Sequence, residues 1–363
     1  MGLALLSLPR KILVELFIIL LTLLAYIAFP ILFVTVLLPI YTFRFVVAKV
    51  SPVLCSELGK MLTALSSSFV VDIHSVYETP KNVILINTVL EGTVDIQRFR
   101  QSFATILELK DAKGVPLYPE LKQSIVSSLG FFFWKNVQDF RVENHVKFYE
   151  LNDKENSDIS ADNSREAVTL FSHNVISRPF QSGQSPWEFL VIPLSPPDAG
   201  KHGKTLVFLR SHHALADGYS LFQLVLKHAD IKEAKQSKPN FTRPKPTMAE
   251  SLGRTLRAVA FPFLLPYDVI SQFIRSYDVN RWHIPEKSMA RDSCGIICEN
   301  FPIQAIKDTK KVHGTSFAAV LLAGFAGGMR KTMMQQNITV PSSIHCLTPM
   351  PLPGHTEKLR NYM

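Results

Sequence analysis

The longest apolar segment of the chain lies near its N-terminus. The 28 positions of Leu16–Phe43 carry no charged residue, and Glu15 and Arg44 flank them. A helix that crosses a bilayer needs about 20 apolar residues, so this segment predicts a retained membrane anchor within residues 1–50. One helix of this length would measure about 42 Å, longer than a hydrocarbon core of about 30 Å, so we expect it to tilt or bend at Pro30. A re-entrant hairpin that turns at Pro30 is the alternative.

Beyond residue 80 the hydrophobic pattern alternates between strand and helix periods, which predicts a mixed α/β (α+β) fold. Apolar and β-branched runs predict strands, and apolar residues at helical spacing predict helices. The predicted strands are Asn82–Leu90, Val142–Leu151, Glu188–Leu194 and Thr205–Arg210, and the predicted helices are Val94–Leu109 and Tyr219–Lys227. Polar or Pro- and Gly-rich residues predict loops at Lys154–Arg165 and Ser195–Lys204.

The remaining part of the chain offers three less regular segments. Lys227–Lys245 is basic and interrupted by proline, typical either of a solvated linker or of an arm that lies on anionic headgroups. Ala258–Tyr267 has no charge but is too short to span a bilayer, so it belongs either to a core or to an interface. Thr315–Arg330 is rich in Ala and Gly, which predicts a helix packed closely against a neighbour.

Composition and charge narrow the class of protein. The chain has 363 residues, 47% hydrophobic and 19% charged, which excludes a wholly disordered protein. Its net charge of +9 suits an anionic partner, but the basic residues are dispersed and do not form a stripe with aromatic residues, so we expect no nucleic-acid binding. Four cysteines indicate a reduced compartment, and Cys294 and Cys298 lack the second pair of ligands that a metal site needs. The sequence carries no indication of oligomeric state.

Candidate chemistry is concentrated in Ser211–Gly218. His212 and His213 follow an apolar strand and precede a helix, so they leave a rigid element at its end. A histidine side chain is partly neutral near pH 7 and can act as a general base. Asp217 can hold the loop by an ion pair or by backbone hydrogen bonds, in a tight turn eased by Gly218. Adjacent histidines of an extended segment point to opposite faces, which argues against a metal site, and no nucleophile motif occurs elsewhere.

The spacing His212-His213-x-x-x-Asp217-Gly218 resembles the HHxxxDG signature of acyl-CoA-dependent acyltransferases with the chloramphenicol-acetyltransferase-like fold. The segment ALADGYSLFQLV is most similar to sequences of the bifunctional wax ester synthase/diacylglycerol acyltransferase family. Pro186-Trp187-Glu188 resembles a Pro-Leu-Trp element of that family without its Leu. The run Met350–Pro353, followed by Leu359-Arg360-Asn361, resembles a later Pro-rich segment and its Asn.

This resemblance implies an activity and a set of site residues. The activity would be transfer of a fatty acyl group from acyl-CoA, as co-substrate and with no cofactor, to a long-chain alcohol or diacylglycerol. His213 would be the general base, His212 would shape the loop and Asp217 would orient it, while Pro186 and Trp187 would contact substrate. Membrane lipid would be a further partner. We expect the protein to lie in the endoplasmic reticulum membrane with its catalytic part in the cytosol. The plasma membrane is the alternative location.

The resemblance also implies two lobes. We expect the first lobe at 75–230, a basic linker at 231–260, and only the start of a second lobe at 261–363, because family members continue past the Asn. The Asn-Asp pair of the second lobe is replaced by Ala318-Ala319 in this chain. Two alternatives stay open: a catalytically impaired, membrane-anchored protein that binds lipid or acyl-CoA, and an acyltransferase with an amine acceptor.

Overall fold

The computed structural model describes residues 2–150, 164–194, 203–228, 248–276, 302–346, 348 and 358–361. The chain forms two compact units. One, the helical unit, comprises Met1–Leu37, Arg243–Arg291 and Cys298–Thr348, and the other, the sheet unit, comprises Leu38–Thr242, Asp292–Ile297 and Pro349–Met363. The predicted mixed α/β class is confirmed.

The helices of the described residues range from single turns to long rods. In chain order they are α1 (Gly2–Leu32), α2 (Leu38–Leu54), α3 (Ala64–Phe69), α4 (His74–Tyr77), α5 (Ile96–Leu107), α6 (Val142–His145), α7 (Ser164–Ser177), α8 (Gly218–His228), α9 (Met248–Arg275), α10 (Ile303–Val312) and α11 (Phe317–Gln335). A π-helical turn at Phe33–Leu37 joins α1 to α2, and Pro119–Lys122 forms a short 3-10 helix.

The strands of the sheet unit form two sheets. They are β1 (Leu58–Met61), β2 (Val83–Glu91), β3 (Gln123–Ser128), β4 (Phe131–Asn136), β5 (Val146–Phe148), β6 (Trp187–Leu194) and β7 (Lys204–His212). The smaller sheet has the order β1-β4-β3 and is antiparallel. The larger has the order β2-β7-β6-β5, antiparallel except for the parallel pair β5 and β6.

The two central strands of the larger sheet are buried along nearly their whole length, since helices cover both faces. Helix α7 packs Phe171 against one face, where Leu190 and Phe208 lie in the same cluster. On the other face, Phe103 of α5 packs with Trp187. A strand that is buried on both faces needs apolar residues at consecutive positions, which explains the apolar runs of β6 and β7.

The N-terminal segment is helical throughout. Its part Lys11–Leu54 is long and apolar enough to cross a membrane, and an 18-residue window within it has a mean hydropathy of 2.8. The helix continues through Pro30, so the hairpin alternative is wrong: the described backbone widens into the π-helical turn after Pro30 instead of reversing. At the far end, in the sheet unit, α2 buries Val47 and Ser51, and the Arg44 guanidinium donates to the Leu62 carbonyl at 2.5 Å.

Four predicted strands and two predicted helices can be compared with these bounds. The strands at Asn82–Leu90, Glu188–Leu194 and Thr205–Arg210 and both helices are observed with shifts of one or two residues at most ends. The strand predicted at Val142–Leu151 is wrong in its first part, which is α6 followed by the short β5. There His145 stacks between Phe140 and Trp187, a core contact that local alternation does not reveal.

Two further predictions are corrected. Helix α11 overlaps Thr315–Arg330, but among its described side chains Met333 is the buried one, so the predicted close packing is wrong. The C-terminal part of the linker predicted at 231–260 is helical, because α9 begins at Met248. The predictions for residues 154–163, 195–202 and 229–245 and for Met350–Pro353 lie outside the described residues.

Candidate active site

His213 lies at the end of the central strand β7, where three chain segments meet. The register pairs His212 with Val83 of β2, and the strand stops there. The His212 amide donates to the Pro186 carbonyl at 2.9 Å, and the His213 amide donates to the Asn82 carbonyl at 2.8 Å. These bonds attach both neighbouring strands to the histidine pair, so the backbone of His213 is fixed by the sheet.

The His213 ring is half-buried and is oriented by the Asn361 side chain. Its Nδ1 lies 2.9 Å from Asn361 Oδ1. The amide nitrogen of Asn361 donates to the His213 carbonyl at 2.8 Å and to Ser66 Oγ at 3.1 Å, so it is Oδ1 that faces the ring. An oxygen there must receive a proton from Nδ1. The neutral ring then carries its lone pair on Nε2, the form that a general base requires.

One face of the His213 ring is covered by Phe69, the last residue of α3. The ring centroids are 3.9 Å apart and the planes differ by 13°. The Asn82 side chain donates to the Phe69 carbonyl at 2.9 Å, so Asn82 contacts both the backbone of His213 and the residue stacked on its ring. Asn82 has φ of 54°, a left-handed conformation that Asn tolerates better than most residues. Sequence reasoning missed Phe69 and Asn82, because their proximity depends on strand register.

His212 has a different environment from its neighbour. Its side chain is fully buried, and Nδ1 accepts a hydrogen bond from the Ala214 amide at 3.1 Å. Burial lowers the pKa of His212 to about 4, and electrostatic repulsion from His213 and Arg210 contributes to the shift. His212 is therefore neutral at neutral pH, and its ring holds the turn that follows the strand.

Asp217 is also fully buried and caps helix α8. Its Oδ1 accepts from the Ser220 amide at 2.8 Å, as an N-cap carboxylate does. The Asp217 amide donates to the Arg360 carbonyl at 3.1 Å, and Ser220 Oγ donates to the same carbonyl at 3.1 Å. Asp217 thus links the loop to the segment that carries Asn361. The His213 ring nitrogen Nδ1 is occupied by Asn361, so Asp217 acts on the loop backbone and not on that atom.

Gly218 does not have the role that the sequence predicted. It is the first residue of α8, its φ lies outside the left-handed region, and a Cβ at this position would meet nothing within 4 Å. The backbone at this position can be adopted by any residue, so its conformation does not explain why a glycine is present.

Pro186 and Trp187 precede and begin β6. The Pro186 carbonyl accepts from the His212 amide, so this residue supports the site through its backbone. Trp187 is 2% exposed, its indole Nε1 donates to the Leu121 carbonyl at 2.9 Å, and its ring stacks on His145. The substrate contact predicted for Trp187 therefore has no exposed surface to act through, and its contacts are those of a core residue.

A buried ion pair supports the strand just before the histidines. Arg210 of β7 is fully buried, its Nη1 lies 2.5 Å from Glu188 Oε1 of β6, and its guanidinium lies 3.8 Å from the Phe180 ring centroid. Lys147 contacts the other carboxylate oxygen at 3.0 Å. Burial raises the pKa of Glu188, but the attraction of Arg210 and Lys147 outweighs it and the net pKa is lowered. The signal in the sequence for the Arg210–Glu188 pair is a single charged residue in each of two otherwise apolar strands.

Asn361 appeared in the sequence as part of a weak resemblance, and the structure brings it to the site. Leu359, two residues earlier, is 2% exposed in the same core cluster as Leu215 and Leu221, which fixes this segment on the loop. Among the described residues, no three His, Cys, Asp or Glu side chains converge where they could hold a metal ion. The site is built from an imidazole, an amide and a stacked aromatic ring.

Comparison with known proteins gives structural likenesses only. No protein-family model matches the chain, and no curated protein matches its sequence. The chain is similar to the starter condensation domain of rhizomide synthetase RzmA in complex with C8-CoA, with 15% identity, 46% of this chain and 34% of that chain covered, and a TM-score of 0.33. It is also similar to SgcC5 from Streptomyces globisporus, with 13% identity, 70% and 54% covered, and a TM-score of 0.37.

This chain thus spans about a third to a half of the length of those two solved structures. At such identities and TM-scores the likeness carries no argument about function, which has to be inferred from the chain's own residues.

Proposed function

We propose that this chain is a membrane-bound O-acyltransferase that moves a fatty acyl group from acyl-CoA to a long-chain alcohol or diacylglycerol, giving a wax ester or a triacylglycerol. The observation that carries the proposal is the environment of His213. Its ring is half-buried at the end of a strand, and Asn361 holds the proton on Nδ1. Within the part of the chain that the structure describes, Nδ1 is the ring nitrogen with a hydrogen-bond partner, which leaves Nε2 for a substrate hydroxyl.

The proposed reaction needs one base and no protein nucleophile. Nε2 of His213 takes the proton from the hydroxyl as its oxygen attacks the thioester carbonyl of acyl-CoA. The tetrahedral intermediate then collapses, the carbon–sulfur bond breaks, and the proton passes from the imidazolium to the CoA thiolate. The products are an ester and free CoA, so no proton or electron is left over. Asn361 and Phe69 keep the ring in one orientation during both proton transfers.

The contrast between the two histidines supports the assignment of the base to His213. The Nδ1 lone pair of His212 is used by the Ala214 amide, and its ring is inaccessible. Burial, with a smaller contribution from Arg210, lowers the pKa of His212 to about 4, which makes it a weak base. His212 and Asp217 therefore stabilise the loop that carries His213, and His213 is the residue that reacts.

We further propose that the N-terminal helix anchors the enzyme in the endoplasmic reticulum membrane, with the sheet unit in the cytosol. The apolar acceptor and product both dissolve in lipid, and acyl-CoA is available on the cytosolic side. An accessibility experiment tests the side. In sealed microsomes, a full-length chain whose only cysteine is the exposed Cys55 should react with a membrane-impermeant maleimide. Labelling that requires detergent would contradict a cytosolic sheet unit.

An activity assay tests the chemistry. Microsomes that contain the full-length chain are incubated with labelled palmitoyl-CoA and either hexadecanol or diacylglycerol, and the lipid products are separated. His213→Ala should lower ester formation by about 10²–10⁴-fold, the usual contribution of a general base. His173→Ala, at a histidine of α7 outside the site, is the matched control and should keep full activity. Ester formation by His213→Ala equal to that of the unaltered chain would eliminate this base.

The alternative function, a membrane-anchored protein that binds acyl-CoA or lipid without turnover, rests on Ala318-Ala319 in place of the Asn-Asp pair. The same preparation separates the two. If the chain binds labelled acyl-CoA and forms no ester with alcohol, diacylglycerol or amine acceptors, the binding function replaces the enzymatic one.

A further inference from the structure

The helical unit contains a second apolar helix packed beside the N-terminal one. Helix α9 packs against α1, and Glu15 of α1 takes part in the contact. On α1, Ile18 and Thr22 are buried, and on α9, Ser271 is buried. Ile18 and Thr22 are four residues apart, so they share one face of α1. Most of the other described side chains of α1, within residues 11–32, are exposed, as expected of a helix surrounded by lipid.

A carboxylate joins the two helices. The Tyr267 hydroxyl donates to one oxygen of Glu15, and the Arg275 guanidinium donates to the other. Tyr267 and Arg275 are eight residues apart, about two helical turns, so the two residues that bind Glu15 lie about 12 Å apart along α9. Glu15 stands at the start of the apolar segment, where a polar group in a membrane protein needs a partner. The contact therefore fixes α9 near the middle of α1, where the apolar segment begins.

The apolar face of α9 continues beyond this contact. Tyr267, Ile270 and Ile274 follow each other at spacings of three and four and are half-buried. The same spacing extends in the other direction to three large side chains that are exposed: Phe263 at 68%, Val259 at 65% and Leu256 at 61%. On the opposite side, Asp268 and Gln272 are exposed towards the C-terminal half of α9, and the apolar Phe261 and Leu265 are exposed in its uncharged part. The contact with α1 thus covers half of an apolar stripe, and its other half is uncovered in the structure.

We propose that α9 lies in the membrane interface beside the start of the apolar segment of α1, with Leu256, Val259 and Phe263 in contact with lipid acyl chains. Lipid is the occupant because the covered half of the stripe already packs on the helix assigned to the bilayer. The uncharged part Ala258–Tyr267 measures about 15 Å, too short to cross, and charged Asp268 follows it. An amphipathic helix in the plane of the interface meets both conditions. This inference rests on the membrane placement of α1 proposed above.

Lipid contact is measured directly on the full-length chain. The four cysteines are replaced by serine, and one cysteine is introduced at Phe263, at Gln272 as the control on the polar side, or at Leu20 as the reference on an exposed side of α1. Each protein is labelled with an environment-sensitive fluorophore, checked by circular dichroism for unchanged helix content, and placed in phosphatidylcholine vesicles with or without brominated lipid. We expect the brominated lipid to quench the labels at positions 263 and 20 by about twofold, and the label at 272 much less.

The outcomes separate this inference from the proposed function. Quenching at position 20 but not at 263 overturns the interfacial helix and leaves the membrane anchor in place. A label at 263 with a blue-shifted spectrum that brominated lipid does not quench shows that protein covers the stripe, which also overturns the inference. Absence of quenching at both positions overturns the membrane placement of α1, and the inference with it.

Discussion

The His213 ring nitrogen Nδ1 and the Asn361 amide oxygen Oδ1 lie 2.9 Å apart, although 148 residues separate them along the chain. The amide fixes the tautomer of the imidazole, as a carboxylate does in a Ser-His-Asp triad, but it carries no charge. It therefore orients the base without stabilising the imidazolium that forms when the base accepts a proton. In the proposed reaction, the developing negative charge of the substrate and the stacked Phe69 ring would stabilise that positive charge.

Removal of the amide tests whether orientation matters for the reaction. Asn361→Ala should lower kcat for ester formation by about 10–100-fold, since a ring that can rotate spends less time aligned with the hydroxyl. The KM for acyl-CoA should change little, because Asn361 contacts protein groups in the described structure and not the thioester. Steady-state kinetics of the full-length chain in microsomes give both constants.

Ser66→Ala is the matched control for this substitution. It removes one of the two hydrogen bonds of the Asn361 amide nitrogen and keeps the contact between Oδ1 and His213. Its kcat should therefore stay much closer to that of the unaltered chain. Equal kcat values for Asn361→Ala and Ser66→Ala would mean that the amide does not position the base.

His212 predicts a loss of stability in mild acid. Burial lowers its pKa to about 4 in the folded chain, whereas an unfolded histidine titrates near 6.5. Between these values the unfolded chain binds a proton that the folded chain does not. The free energy of unfolding should therefore be at its full value above pH 6.5 and fall as the pH drops towards 4, by about 3 kcal/mol at most. Denaturant unfolding of the full-length chain in detergent micelles, followed by tryptophan fluorescence, measures the slope.

His212→Asn isolates this contribution, since Asn offers an oxygen near the position of Nδ1 and does not titrate. The slope should become smaller but not vanish, because burial also lowers the pKa of His145. A slope that is the same in His212→Asn and in the unaltered chain would contradict the assignment.

The predictable part of this fold is the part with strong local patterns. Strands β2, β6 and β7 and helix α8 follow from apolar runs and helical spacing, and the histidine pair follows from its place after such a run. Two other neighbours of His213, Phe69 and Asn82, do not follow, because Asn82 reaches it only through the register of β2 on β7. For Trp187 the sequence led to a wrong prediction. This aromatic residue was predicted to contact substrate because it belongs to a motif, but its side chain is buried in the core. Burial is a property of the assembled layers, which no local window contains.

Asn82 predicts a difference between two small replacements. Its φ of 54° costs a residue with a Cβ about 1 kcal/mol, and glycine avoids this cost. Both Asn82→Ala and Asn82→Gly lose the hydrogen bond to the Phe69 carbonyl, so both should lower kcat. Asn82→Ala should in addition unfold more easily than Asn82→Gly, by about 1 kcal/mol. Urea unfolding of the two variants measures this gap, and equal stabilities would show that the backbone relaxes there.

The Arg210–Glu188 pair predicts a strong and non-additive effect on stability. Both groups are buried, so removal of one leaves a charge with too few partners, and Arg210→Met should lower the free energy of unfolding by about 3–5 kcal/mol. Replacement of both, as Arg210→Met with Glu188→Leu, should cost less than the sum of the single changes. The exposed pair Lys135–Glu57 is the control, and its removal should cost about 1 kcal/mol or less. If the loss of stability in the double variant equalled the sum of the losses in the two single variants, the two charges would not be coupled. Strands β6 and β7 would then be held together by apolar packing and backbone hydrogen bonds, without a contribution from this ion pair.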